Sequence, residues 1–282
     1  MKHFLIYITL IIFAFSAQAQ KISLGIEYDN KKGIKISKIM VPDTAKWSIV
    51  YAHVSKDEIL NKEKTDFEML SIGKRFRWYG GYGNYQIDSL YRDNPGRFAE
   101  MTFGEFISLK QEYESILPQM ITDTRDSVIN YYCQILIDSF EYTEPIPKFD
   151  WTLEEESTEI MGYTCYKATT NWRGRNWIAW YCDIPESAGP WKFNGLPGLI
   201  LRIEDSEHIH LFDAIETKND PYPLGYSKKS YLKTTREKFN AAFKDYKENA
   251  GQKFLDSGLI ARQGENEYLK KRRLFFAPIE LK

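Results

Sequence analysis

Residues able to do chemistry are few and scattered in this 282-residue chain. His208-Ile209-His210 sets two imidazoles two residues apart. On a strand such residues share a face, so both could hold one metal ion, with Asp205 or Glu207 supplying a carboxylate. Ile209 and Leu211 read as core-facing, however, which turns both histidines towards solvent. Glu154-Glu155-Glu156 offers adjacent carboxylates, but three consecutive acids read more simply as the solvated entry to a strand. No Gly-x-Ser-x-Gly elbow, His-Glu-x-x-His pair or phosphate-cradling glycine loop occurs. The reading is therefore non-enzymatic, with no catalytic residue, cofactor or metal assigned. A hydrolase or isomerase built on dispersed carboxylates stays open as the alternative.

Three cysteines, Cys133, Cys165 and Cys182, carry the remaining reactivity. If Arg173-Gly174 is a two-residue hairpin turn, Trp172 faces Arg175 and every facing pair sums to 347. Cys165 and Cys182 then stand directly opposite, on a non-hydrogen-bonded rung where α-carbons approach to about 4.5 Å. That is within the range a disulfide accepts, and a Cys165–Cys182 bridge is expected. The same register gives one face Tyr166, Ala168, Thr170 and Trp172 against Tyr181, Ala179, Trp177 and Arg175. This face is the better core candidate, and the cysteines lie on the other with Lys167, Thr169, Ile178 and Trp180.

These residues need elements to hold them. Residues 46–56, 66–80 and 126–143 read as strands with turns between. Phe103, Phe106, Ile107, Tyr113, Ile116 and Leu117 recur at the spacing of one helix face. The cluster YGGYGN at 79–84 reads as a loop. Residues 161–182 and the pair 199–204 with 208–217 read as antiparallel ribbons. Leu232, Phe239, Phe243 and Tyr246 mark an amphipathic helix. The tail KRRLFFAPIEL either returns as a strand or trails. Hairpin-sized spacings predict a mainly β (α+β) fold, an antiparallel sheet with helices covering one face.

Residues 1–19 read as a secretory signal peptide: Lys2, an apolar run from Phe4 to Phe15 broken only by Thr9, and Ser16-Ala17-Gln18-Ala19 before the expected cleavage. The run is shorter than the roughly 18 to 20 residues a spanning helix needs. Residues 20–282 are expected to form one domain in the periplasm or beyond, where thiol pairs oxidise. The net charge of −1 argues against a nucleic-acid partner.

Five of the seven tryptophans fall between 151 and 191. Gly189-Pro190, Asn194-Gly195 and Pro197-Gly198 crowd three turn signals into the next stretch, and Leu196-Pro197-Gly198-Leu199 suits a type II turn with positive φ at Gly198. The hexapeptide Gly195-Leu196-Pro197-Gly198-Leu199-Ile200 resembles the signature of the GLPGLI family of secreted Gram-negative envelope proteins. Gly162-Tyr163, Cys165, Lys167-Ala168, Gly174-Arg175, Ala179-Trp180-Tyr181, Ile184-Pro185 and Gly189-Pro190-Trp191-Lys192-Phe193 precede it in the family's order. The resemblance implies a secreted protein of no established activity, often a neighbour of TonB-dependent outer-membrane receptors. A weaker likeness is to the curved, half-open barrel of lipoprotein carriers, which hold acyl chains in an apolar groove. Trp191, Phe193, Asn194, Leu196 and Pro197 are the expected contacts to a hydrophobic ligand or protein partner, with a transporter accessory as a further possibility.

Overall fold

A computed structural model describes residues 26–29, 33–113, 118–257 and 270–282. The signal-peptide reading lies outside the described residues. β1 (Ile26–Asp29) and β2 (Gly33–Ile36) pair with each other. β3 (Lys38–Ala45) leads to a meander of β4 (Trp47–Asp57), β5 (Lys62–Ile72) and β6 (Phe76–Gly81). Three helices follow: α1 (Tyr82–Asp93), α2 (Pro95–Glu100) and α3 (Phe103–Glu112). The meander resumes with β7 (Gln119–Asp123), β8 (Val128–Ile135) and β9 (Asp138–Pro145). A second run holds β10 (Thr152–Ile160), β11 (Tyr163–Trp172), β12 (Arg175–Cys182), β13 (Ile200–Asp205) and β14 (His210–Lys218). β15 (Tyr222–Ser227) and β16 (Leu232–Lys233) precede α4 (Arg236–Glu248) and α5 (Ala250–Asp256).

β14 pairs antiparallel with β4, joining the two runs into a 12-stranded sheet ordered β10-β11-β12-β13-β14-β4-β5-β6-β7-β8-β9-β16. Its short parallel β16 makes it mixed, and its edges β10 and β16 do not meet. Curvature follows from one ion pair. In a flat sheet β9 and β12 would lie eight spacings, or roughly 38 Å, apart. Yet Arg173, at the β11–β12 turn, bonds Glu144 of β9 at 2.8 Å. The sheet is curled into an open half-barrel, the form the likeness to lipoprotein carriers implies.

Alternation along each strand sends one set of rings inward and the other out. Ile49, Tyr51, Leu70, Tyr79, Tyr131, Tyr142, Trp172 and Trp177 share the concave core. Val50, Met69, Trp78, Ile121 and Tyr132 face the convex side, where β15 supplies Tyr222 and Leu224 and β3 supplies Ala45. Helices line the sheet on both faces. Tyr82 and Tyr85 of α1 join the convex cluster, whereas Phe239 of α4 packs on Tyr131 and Tyr142 inside.

The 79–84 cluster is no loop. β6 runs to Gly81 and α1 begins at Tyr82, with Gly83 buried. A Cβ on Gly83 would stand 1.5 Å from the Tyr113 carbonyl oxygen, so its glycine serves a close approach within a helix. α3 starts where expected, on a Thr102–Glu105 capping box. It ends at Glu112, and Ile116 and Leu117 lie outside the described residues.

Candidate functional site: the filled concave face

The β11–β12 hairpin has the register the arithmetic demands. Trp172 faces Arg175, and Cys165 faces Cys182. Arg173 and Gly174 take φ of 48° and 87°, the left-handed pair a two-residue turn requires. Ala168, Thr170, Trp172, Arg175, Trp177 and Ala179 are buried, so the expected face is the core face. Tyr166, towards the open end, is exposed. The cysteines are buried despite lying on the other face, because the 183–199 loop folds back over them: Cys182 N–H bonds the Leu199 carbonyl and Leu199 N–H the Ile184 carbonyl. All three cysteines are thiols in this structure. A hydrogen bond between the facing pair lowers Cys182 to about 7 and raises Cys165.

The 189–200 loop plugs the barrel. Phe193 is 2% exposed, and its ring meets those of Trp172, Trp177, Phe149 and Phe212. Leu196 is 1% exposed. Neither can touch an outside ligand in this state. Asn194 is tied down: its amide donates to the Pro147 and Lys192 carbonyls, and its own carbonyl accepts from Trp151 Nε1 at 2.8 Å. Gly195 and Pro197 form the exposed tip, and Trp191 is half-buried. The turn chemistry differs from the expected type II form. Gly195 has the positive φ (90°) while Gly198 does not. Gly198 is needed for a close approach instead, since a Cβ there would lie 1.7 Å from the Cys182 carbonyl oxygen.

Lys192 enters the core beside Phe193, its side chain 1% exposed. Glu144 lies 2.5 Å and Glu280 2.7 Å from its ammonium. Glu280 also receives the Trp191 indole N–H at 3.0 Å, Arg236 at 3.2 Å, and Arg173. Burial is the largest influence on Glu280 and favours its neutral form. The Lys192 and Arg173 charges overcome it and hold the carboxyl below its ordinary value.

A second polar chain runs beside this one. Tyr79 donates to Glu68, His53 Nδ1 lies 3.2 Å from Glu68, and His53 Nε2 lies 3.1 Å from His210 Nδ1. His210 Nε2 lies 3.2 Å from the Pro278 carbonyl, which accepts only an N–H. His210 Nδ1 must therefore accept from His53 Nε2. Burial, then the neighbouring His53 and Arg175, drives His210 well below its ordinary value, so it is neutral at pH 7. Against the sequence expectation, His210 is fully buried: β14 begins at His210, and His208 sits in the turn with φ 56°. The two histidines do not share a strand face. Among the described residues no group of three His, Cys, Asp or Glu is placed to hold a metal. Glu154-Glu155-Glu156 lies on edge strand β10, with Glu154 and Glu156 pairing to Lys167.

The C-terminal tail lies across both clusters. Residues 272–282 form no strand, yet they are not loose. Phe276 N–H bonds Asp57, Pro278 O accepts from Arg175 as well as His210, and Leu281 N–H bonds the Arg173 carbonyl. Ile279 packs on the concave core. Lys192 was the one legible clue to this assembly, a lone charge inside an apolar loop. Glu68, Tyr79, Glu144 and Glu280 carried no local signal. A separate cleft of about 1180 Å³, lined by Arg97, Met101, Phe103 and Ser108 among others, contains none of the expected contact residues.

Residues 172–202 match a family described as a protein of unknown function (Porph_ging). That stretch covers the hairpin turn, the loop and the start of β13. No curated protein matches the chain. Two solved structures of PNGF-II, in the C2 and P21 space groups, are similar at 10% identity and a TM-score of 0.47. Each match covers 73% of this chain and 33% or 34% of the other, so this chain spans about a third of the length of the solved chains it matches.

Proposed function

We propose that the chain is a secreted GLPGLI-type envelope protein that acts by binding a protein partner, without catalysis, at the mouth of its half-barrel. The observation that carries this reading is the construction of the 189–200 loop. Phe193 and Leu196 anchor it in the core while Gly195 and Pro197 stand exposed. A small, stiff apolar tip on a buried base is a pre-organised contact surface, with little ordering entropy left to lose on binding. The signature residues each meet a constraint in this loop: positive φ at Gly195, and close approaches at Gly189 and Gly198. These constraints fall within the matched stretch 172–202 and are consistent with the family reading there.

A free hydrophobic ligand has less support. The groove where an acyl chain would lie holds the Phe193 and Leu196 side chains and Ile279 of the tail. Among the described residues no helix is long and apolar enough to cross a membrane. A transporter of the outer membrane is the partner class suggested by the resemblance. In the oxidising compartment of such a partner, Cys165 and Cys182 would be joined.

The test is a photo-crosslinking residue at position 197 in the native cell envelope, with one at exposed Ile59 as control. A discrete protein adduct specific to position 197 is expected. Equal labelling at both positions, or a lipid-sized mass retained by the purified protein, removes the reading.

A further inference from the structure

Arg173, Lys192, Arg236 and the Trp191 indole form a cradle around one carboxylate, that of Glu280. Each member is fixed by an element other than the tail. Arg173 sits at the β11–β12 turn, Trp191 and Lys192 follow from the Phe193 anchor, and Arg236 opens α4. The cradle is therefore built whether or not the tail is present. Three cations face Glu144 of the sheet and Glu280 of the tail, and the exposed Glu237 of α4 also pairs with Arg236. Withdrawal of the tail leaves the three converging cations with Glu144 and the exposed Glu237, and the buried Lys192 with Glu144 as its one carboxylate. Such a site calls for an anion of planar, bidentate geometry.

The tail's backbone is also read. His210 and Arg175 converge on the carbonyl of Pro278, and the Arg173 carbonyl accepts the amide of Leu281. Carboxylate and backbone contacts alternate along Pro278-Ile279-Glu280-Leu281, with Ile279 against the core. This is how an extended peptide is recognised, through main-chain bonds and a pocket for alternate side chains.

We propose that the concave face is a receptor for an extended peptide carrying one acidic side chain, and that the C-terminal residues 278–282 are its competitor in cis. The proposal rests on the partner-binding reading for the nature of the occupant and names its chemistry: an apolar residue followed by Asp or Glu, in an extended strand. In the resting chain the tail holds the site closed, and a partner segment must displace it.

The experiment uses the mature chain ended after Ala277 and the acetylated peptide Pro-Ile-Glu-Leu-Lys. Calorimetry should show saturable binding to the shortened chain, at least about tenfold weaker binding when glutamine replaces the glutamate, and tenfold weaker binding again to the full chain. A shortened chain that keeps its native circular dichroism and binds neither peptide overturns the proposal, as does equal affinity for both. If the shortened chain does not fold, the full chain with Glu280→Gln takes its place, and failure of the glutamate peptide to bind that variant also overturns it. These readouts do not depend on position 197, so either reading can fail while the other stands.

Discussion

Cys165 and Cys182 are facing residues on adjacent strands, both buried, and the Cys165 thiol donates to the Tyr163 carbonyl at 3.5 Å. Their facing register is the one a disulfide across adjacent strands requires. Each gives up a proton and the pair gives two electrons to an oxidising disulfide, such as that of an envelope thiol oxidoreductase. The shared interaction lowers Cys182 and raises Cys165, so Cys182 is the more readily ionised sulfur of the pair. Protein isolated from the envelope should therefore show, after denaturation without reductant, one alkylatable thiol, Cys133. Reduction should cost at most roughly 3 kcal/mol, since the hairpin already limits the loop. Three alkylated cysteines in unreduced protein would rule the bridge out.

The loop glycines give a contrast between neighbours. Gly198→Ala places a methyl 1.7 Å from the Cys182 carbonyl, on backbone that cannot step aside, and should cost about 3 kcal/mol or more. Pro197→Ala changes an exposed residue and should stay within about 1 kcal/mol while weakening partner binding. Urea denaturation of both variants checks this, and equal losses would assign the tip a structural role only.

Phe193→Ala tests the other side of the same division. Its ring is enclosed by three aromatic neighbours of the barrel and one of the 146–151 segment, so truncation should cost about 3 to 5 kcal/mol. A loss under about 1 kcal/mol would place Phe193 among the contact residues instead.

The hairpin, its register and its core face were legible because a two-residue turn fixes every facing pair, and strand parity does the rest. The antiparallel sheet followed from spacing, and its curl from the likeness to lipoprotein carriers. The concave site was not legible, because its members come from β5, β6, β9, the loop and the tail, and nothing local records that β9 will curl round to meet the β11–β12 turn. His210 was misplaced for a related reason. Parity was counted through Ile209, but the strand starts only at His210 and the left-handed His208 breaks the count. Gly198 shows the same limit: a glycine demanded by an atom from another segment looks, in sequence, like one demanded by a turn.

Acid should loosen the fold in two stages. His210 is neutral and depressed when folded but takes its ordinary value near 6.5 when unfolded, so the unfolded state binds more protons as pH falls. Its contribution is complete above about 6.5 and lost progressively below. Glu280, lowered when folded, contributes fully above about 4.5 and loses its share below that. Denaturant midpoints from pH 8 to 4 should decline from about 6.5, and His210→Gln should flatten the first decline. An unchanged slope in that variant would assign the decline to another group.

The buried charges of the cradle fix the order of two further variants. Glu144 is nearly buried on β9 and answers Lys192, Arg173 and Arg236 together. Glu144→Gln, on a strand that cannot retreat, leaves the buried Lys192 with Glu280 as its one carboxylate and should cost about 3 to 5 kcal/mol. Lys192→Met removes an equally buried charge, but two arginines then face two carboxylates and the methionine refills the volume. Its cost should be smaller, about 1 to 2 kcal/mol. Added salt should narrow the gap between the two, because part of the Glu144→Gln penalty is repulsion among partly exposed guanidinium groups. Thermal unfolding of the pair at low and high ionic strength measures the difference. A larger loss from Lys192→Met would mean that the buried ammonium, not the demand of the three cations for a carboxylate, governs the cluster, and would remove the electrostatic ground for an anionic guest.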